Sequence, residues 1–256
     1  MLRNYRCEGK ESSTIIAVSN MLTVVMPAHN EGAVVAEAVK RVIRLFPANS
    51  DEIVIHIILD GPDPAALQSL NQLNRANVKV TELGENYGKG HCLRVGASES
   101  SSVYTAFLDS DLDIDPISIL QGLEILENNK FENIGCVYGS KFHPNSVLSY
   151  PPLRTIASKI FKIIVKILFG LNVDDSQTGL KLFRSSDLQR VIGSTKENRF
   201  MFDLEVMILL NRVGVKMVPV PVNLNYKYSS SIGIKSIVLL GAQTIGLFLR
   251  QVRKRK

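Results

Sequence analysis

The sequence predicts an α/β fold: a mostly parallel central sheet with crossover helices. Two observations predict it. Over the first half of the chain, short apolar runs of strand length alternate with stretches of helical spacing, the rhythm of a parallel sheet with helical crossovers. The sharpest polar residues also fall where the apolar runs end. His29, Asn30 and Glu31 follow the first, Asp60 the second, and Asp109 and Asp111 the fourth. Parallel sheets of this kind bind ligands beyond the carboxyl ends of their strands.

Residues 1–20 read as a tail of low structural content. Leu22–Met26 is the first strand, halted by Pro27. Glu31–Leu45 then has helical spacing, with Val34, Val35, Ala38, Val39, Val42 and Leu45 on the apolar side. Ile53–Leu59 is a second buried strand, and Asp60-Gly61-Pro62-Asp63-Pro64 is a turn that launches a helix through Leu73. Val78-Lys79-Val80 is a short strand before the loop Gly84–Gly90. A helix from His91 to Ser98 leads into the strand Val103–Leu108. Residues 21–235 form the main domain, and 236–256 form a closing apolar and basic segment.

With 256 residues, 45% of them apolar and 21% charged, the chain can bury a sizeable core. Its net charge of +6 is partly gathered in the run Arg250–Lys256, which suits an anionic surface or a solubilising end. Cys7, Cys92 and Cys136 lack metal or redox spacing and fit a reducing, cytosolic compartment. The start of the chain has no signal-peptide pattern, and no segment reaches the roughly 20 apolar residues that span a bilayer. No G-x-G-x-x-G follows the first strand, which argues against a dinucleotide oxidoreductase. Gly88-Lys89-Gly90 matches only the tail of a phosphate-binding P-loop.

The fourth strand releases four acidic residues within seven positions: Asp109, Asp111, Asp113 and Asp115. Carboxylates that close repel one another, and desolvation adds to the cost unless a cation compensates. A divalent ion is one such cation, and hard oxygen ligands select Mg2+ or Mn2+. Asp115-Pro116 has the other reading of a helix cap followed by the first helical residue.

Three motifs then occur in order: Met26-Pro27-Ala28-His29-Asn30-Glu31, Asn86-Tyr87-Gly88-Lys89-Gly90 and Asp109-Ser110-Asp111. Together they resemble the Rossmann-like, nucleotide-sugar-binding half of family 2 inverting glycosyltransferases, which have the GT-A fold. Gly139-Ser140-Lys141, Asp174–Arg184, Phe202-Asp203-Leu204-Glu205 and Val218–Val222 are similar to the branch acting on dolichyl or polyprenyl phosphates. The resemblance covers roughly residues 22–236. It implies a hexose transfer from UDP-glucose or GDP-mannose to a lipid phosphate, with inversion and with Mg2+ or Mn2+. Asp109 and Asp111 would hold the metal and the diphosphate, with Asp113 beside them. Asp60 would accept from the base, Pro27, Ala28 and Glu31 would line the base and ribose pocket, and Lys89 would lie near the nucleotide. The chain departs from the pattern at Leu59-Asp60-Gly61-Pro62, where Asp-Asp-Gly-Ser is usual. It also departs at His29, often Tyr or Phe, and at Lys141, where Arg is common. Tyr226–Ser231 matches the family's basic closing loop only loosely.

For the acceptor two readings stay open. A lipid phosphate is already ionised and needs only cations to position it, for which Lys141, Arg184 and Lys227 are candidates. A sugar hydroxyl, as in surface polysaccharide or glycolipid synthesis, would need a base, and Asp203 or Glu205 could serve. Glu205 has the alternative role of a charge near the start of a helix, and Asp175 and Gln177 that of ordering the acceptor loop. A third reading is a domain that binds nucleotide sugar without turnover. Leu153–Leu171 reads as a helix with Lys159, Lys162 and Lys166 on one face, suited either to a membrane interface or to core packing with snorkelling lysines. With the C-terminal segment, it points to peripheral attachment at the cytoplasmic face of a membrane. No nucleic-acid partner is expected.

Overall fold

The computed structural model describes residues 20–46, 52–111, 113–129, 132–148, 152–224 and 234–253. The expected tail up to residue 19, with Cys7, the loop Tyr226–Ser231 with Lys227, and the last three basic residues lie outside them. The elements run β1 (Leu22–Ala28), α1 (Val34–Arg44), β2 (Ile53–Leu59), α2 (Pro64–Asn71), β3 (Val78–Glu82), α3 (Lys89–Ser98), β4 (Tyr104–Phe107) and α4 (Ser118–Asn128). They continue with β5 (Ile134–Ser140), β6 (Val147–Leu148), α5 (Pro152–Phe169), β7 (Lys181–Arg184), α6 (Ser185–Ile192), α7 (Phe202–Arg212), β8 (Lys216–Pro221), β9 (Asn223–Leu224) and α8 (Ile234–Arg253).

Seven strands form one sheet in the order β3-β2-β1-β4-β7-β5-β8, and β6 pairs with β9. β1 to β4 are mutually parallel, as expected, and so are β5 and β8. β7 runs antiparallel to both of its neighbours. The strand order reverses between β1 and β4, and the crevice at such a switch point is where open α/β sheets bind ligands. β1 is buried on both faces, and its alternate residues feed two cores. Leu22, Val24, Met26 and Ala28 join the core under α1 and α4, while Val25 joins the core under α3 and α7.

Pro27 does not halt β1, which stays paired with β2 through Ala28. Val25 bonds toward β4, its carbonyl accepting from the Leu108 amide, and Pro27 has the same parity. The N–H that proline lacks therefore faces a side where β4 has already ended. α1 starts at Val34, three residues later than expected, because Asn30 is in the left-handed region at φ 56°. Val34 consequently stands exposed while Val35, Ala38, Val39 and Val42 are buried. Asp63 caps α2, accepting from the Ala66 amide at 3.0 Å, and its other oxygen accepts from the Gly32 amide at 3.0 Å. Asp115 accepts from the Ile117 amide, and α4 begins one residue beyond, at Ser118.

The reversed strand corrects one expectation. β7 places its last residue, Arg184, beside Tyr104 at the start of β4, at the edge opposite Asp109. Its guanidinium donates to the carbonyls of Ile134 and Leu126. Arg184 therefore closes off backbone at the far edge, and cannot position an acceptor.

α5 and α8 pack together through a third core that includes Val165, Leu171, Met207 and Leu247. The lysines of α5 keep the expected i, i+3, i+7 spacing but differ in their surroundings. Lys162 turns to Asp174, whereas Lys159 and Lys166 lie outward among the exposed Ile160, Ile163 and Ile167. α8 likewise shows Ile245 and Leu249 to solvent. Among the described residues, no helix is long and apolar enough to cross a membrane.

Cys92 and Cys136 are free thiols in the core between sheet and helices, where burial pushes both up to about 12. His56 of β2 is buried, with Nε2 2.9 Å from Thr81 Oγ1. Burial, aided by Lys79 and opposed by Glu99, lowers its pKa to about 4. The unfolded chain thus binds this proton at a higher pH than the folded one. Stability should be full above about pH 6.5 and fall by about 3 kcal/mol as pH drops to about 4. Urea unfolding across that range should show this slope, and His56→Gln should remove it.

Candidate active site

The acidic turn, the residues after β1 and β2, and the start of α3 converge on one cavity of about 360 Å³. Its lining includes Pro27, Ala28, Glu31, Asp60, Lys89, Asp109 and Asp111, seven residues expected from the sequence to meet at a ligand. It also includes Arg199 and Phe200, which were not. Nothing in the periodicity around them marks them. They arrive only because the loop before α7 folds over α3.

Each wall has a structural cause. Ser110 donates to the Pro27 carbonyl at 2.8 Å, so the middle residue of Asp109-Ser110-Asp111 ties the acidic turn to the end of β1. The Asp113 amide donates to Asp111 Oδ1 at 3.0 Å, fixing the turn's other end. Asp113 itself stands outside the cavity lining. Gly179, just before β7, lies against Asp109, where an added Cβ would come within 1.9 Å of Oδ2. The segment before β7 thus packs directly on the first carboxylate.

Asp60 is buried, and its carboxylate accepts from the Tyr87 amide at 2.7 Å and the Gly88 amide at 3.0 Å. It anchors the loop that brings Lys89 to the cavity. His29 Nδ1 lies 2.7 Å from the Asp60 carbonyl, and Nε2 lies 3.0 Å from Asn86 Nδ2. A carbonyl on one nitrogen and an amide NH2 on the other assign the Nδ1–H tautomer.

Behind the cavity runs a chain of alternating charges. Lys89 Nζ is 2.6 Å from Asp109 and 3.7 Å from Asp203. Asp203 is in turn 2.8 Å from Lys181 Nζ, and Lys181 also donates to the Thr178 carbonyl at 2.7 Å. Lys181 is completely buried and was missed as a site residue, because a single lysine in an apolar strand reads as a solvent-facing position. Burial opposes ionisation of Asp203, yet Lys181 and Lys89 outweigh it and hold the carboxyl below the usual range. Burial likewise opposes the Lys89 ammonium, and Asp109, Asp203 and Asp111 more than offset it.

The opposite imbalance prevails at the mouth. Asp111 opens onto the cleft, but the surrounding protein and then Asp109 push its carboxyl up to about 6. Glu31 is raised too, by burial first and then by Asp109, Asp63 and Asp113. A divalent cation would relieve that excess of negative charge. Among the described residues no three metal-ligating side chains form a ready cage. Asp109 and Asp111 still suit Mg2+ or Mn2+, because such ions take one or two carboxylates and complete their shell with substrate phosphates.

The remaining candidates lie apart from the cavity lining. Lys141 is at the same edge of the sheet, 2.6 Å from the buried Asp175 and 3.0 Å from Thr178 Oγ1. Asp175 also accepts from the Gln177 amide, so it orders this loop as expected. Glu205 is buried and accepts from the amides of Lys196 and Glu197 at 2.7 and 2.8 Å. Its role is neither a base facing the cavity nor only a charge at the helix start, but a staple on the loop that carries Arg199.

The family profile described as Glycosyl transferase family 2 matches residues 23–192. The chain is 26% identical over 214 residues to a dolichyl-phosphate beta-glucosyltransferase of Dictyostelium discoideum, covering 79% of this chain and 65% of that one. It is 20% identical over 231 residues to glycosyltransferase AglD of Haloferax volcanii, covering 88% of this chain and 36% of that one. The chain thus spans about a third of one relative and just under two thirds of the other. Among solved structures it superposes on a glucosyl-3-phosphoglycerate synthase of Mycobacterium tuberculosis in complex with Mn2+, UDP-glucose and phosphoglyceric acid. That match has a TM-score of 0.64 at 15% identity and covers 90% of this chain and 79% of that one. It shows the fold, a GT-A-like sheet.

Removing Lys181 would leave Asp203 buried beside a single, more distant cation. Lys181→Met should cost about 3–5 kcal/mol of stability by urea unfolding. A loss below about 1 kcal/mol would show that the buried pair contributes little to the fold.

Proposed function

The chain belongs to glycosyl transferase family 2, and from that premise we propose that it transfers a hexose from UDP-glucose or GDP-mannose to a polyprenyl or dolichyl phosphate, with inversion. The observation that carries the choice of acceptor is the fate of the two candidate bases. Asp203 is held between Lys89 and Lys181, and Glu205 is held by two backbone amides. A sugar hydroxyl would need one of them to take its proton, whereas an ionised phosphate attacks without a base.

In the proposed step an acceptor phosphate oxygen forms a bond to the anomeric carbon from the face opposite the diphosphate. The bond from that carbon to the diphosphate oxygen breaks, its electron pair leaves with the diphosphate, and no proton is transferred. Asp109 and Asp111 would hold Mg2+ or Mn2+, which supplies positive charge against the departing diphosphate. Asp113 stands by to add charge at the rim. Lys89 is fixed by Asp109 and Asp203, so it faces the leaving group without reorganising. Pro27, Ala28 and Glu31 shape the nucleoside pocket, Asp60 holds its loop, and Lys141 serves the acceptor phosphate.

Peripheral contact with a membrane completes the reading. An outward row of Ile160, Ile163 and Ile167 beside Lys159 and Lys166 suits the boundary between headgroups and acyl chains. Lys162, paired with Asp174, links the same helix to the loop at Lys141. The free, buried cysteines suit the cytoplasmic face.

Purified chain should transfer labelled hexose to polyprenyl phosphate in anionic vesicles with Mn2+. Asp109→Ala should lower the rate on the order of 100-fold or more. Transfer to sugar hydroxyls alone would overturn the lipid-phosphate reading, and donor binding without any turnover would favour a binding module. Ile163→Asp with Ile167→Asp should abolish co-sedimentation with anionic vesicles while leaving the unfolding midpoint within error. Unchanged co-sedimentation would remove α5 from the membrane contact.

A further inference from the structure

We propose that Arg199 is a binding residue for the donor's diphosphate, presented to it by a loop that the fold fastens on every side. The inference rests on the reading of the cavity as a nucleoside-diphosphate-sugar site, and it names a residue outside the acidic turn and Lys89. Arg199 and Phe200 form the cavity wall contributed by the loop between α6 and α7. Exposed arginines are commonplace. The number of bonds spent on the residues just before this one is not.

Arg94 of α3 donates from Nε to Thr195 Oγ1 at 2.8 Å, from Nη1 to Asn198 Oδ1 at 2.9 Å, and from Nη2 to the Glu197 carbonyl. Glu205 takes the amides of Lys196 and Glu197 on one oxygen. The Asn198 carbonyl accepts from the His91 amide at 3.1 Å, and Glu197 pairs with Arg250 of α8. Gly88 has φ 100°, and a Cβ there would meet the Asn198 carbonyl at 2.4 Å and Arg199 Cγ at 2.9 Å. The stem of Arg199 therefore lies along the same backbone whose amide binds Asp60. A loop held this way loses little freedom when a ligand docks, so its contacts are preorganised.

Charge matching picks out the ligand. Lys89 already faces Asp109 and Asp203, and Lys181 faces Asp203. No ion pair among the described residues involves Arg199. Its guanidinium is the cavity cation whose charge the protein leaves unmatched, and its fork fits two phosphate oxygens at once. A donor diphosphate held by a metal on Asp109 and Asp111 would bring that anion between the acidic turn and Arg199. Arg94 and Glu205 are then positioning residues, acting on the donor only through the loop.

Isothermal titration of the whole chain with UDP, UDP-glucose, GDP-mannose and uridine, each with Mn2+, tests this. Arg199→Ala should weaken the diphosphate ligands on the order of 10- to 100-fold and leave uridine unchanged. Arg199→Lys should recover part of the loss, because it keeps the charge but not the fork. Glu205→Gln should weaken UDP less than Arg199→Ala does. Circular dichroism melting checks that each variant is folded. Diphosphate affinity within twofold of wild type in Arg199→Ala would overturn the role of Arg199 while leaving the donor site standing. An equal loss for uridine would overturn it too, by pointing to a general change of shape. A wild-type chain that bound none of the diphosphates would instead sink the donor-site reading, and this inference with it.

Discussion

The molecule is organised around the problem of holding negative charge at the end of β4. Asp109 and Asp111 project from a fully buried strand, with Glu31 across the cavity and Asp113 beside them. Left alone, such a cluster would stay partly protonated, as the raised carboxyl of Asp111 shows. The protein compensates only one side. The line Asp109, Lys89, Asp203, Lys181 alternates in sign from the cavity wall into the core, so each interior charge has an opposite neighbour. The cavity side keeps its excess. That asymmetry separates the matched interior from the mouth, where the excess of negative charge remains.

The network also determines how the two halves of the chain meet. Lys89 comes from the loop that Asp60 anchors, Asp203 from α7, and Lys181 from a strand inserted antiparallel between β4 and β5. Gly179 lets that strand begin directly against Asp109. The first half of the sheet and the inserted strand are therefore joined through this line of charged side chains. The two carboxylates that sequence reasoning offers as bases are both used in this joining. Their engagement favours an acceptor that arrives already ionised.

Beyond the site, α5 and α8 pack inward through Val165 and Leu247 while presenting isoleucines outward. In a water-soluble helix the outer positions would be polar. Here α5 contacts the loop before β7 through Lys162 and Asp174, and α8 contacts the loop before α7 through Arg250 and Glu197. The apolar outer face and the contacts to these two loops belong to the same pair of helices. A lipid-borne acceptor would thus meet the site from the side on which its tail is accommodated.

The sequence by itself determined the strand and helix order of the first half, its parallel sheet and the carboxyl-end cluster. Apolar runs and strand-end polar residues are local patterns, set by the side-chain period and by the need of each strand to be buried. Of the cavity residues, Glu31, Asp60, Asp109 and Asp111 were legible in that way, while Pro27, Ala28 and Lys89 were expected from the family resemblance. Tertiary structure alone decided the rest. The antiparallel insertion of β7 sent Arg184 to the far edge and Lys181 into the core, though both lie in one four-residue strand. The folding of the loop before α7 over α3 brought Arg199 and Phe200 to the cavity and turned Glu205 into its staple. Strand direction and loop docking depend on contacts between residues about a hundred positions apart, such as Arg94 with Thr195 and Asn198. No local period encodes them, so only the assembled fold reveals which charges are spent and which remain for a ligand.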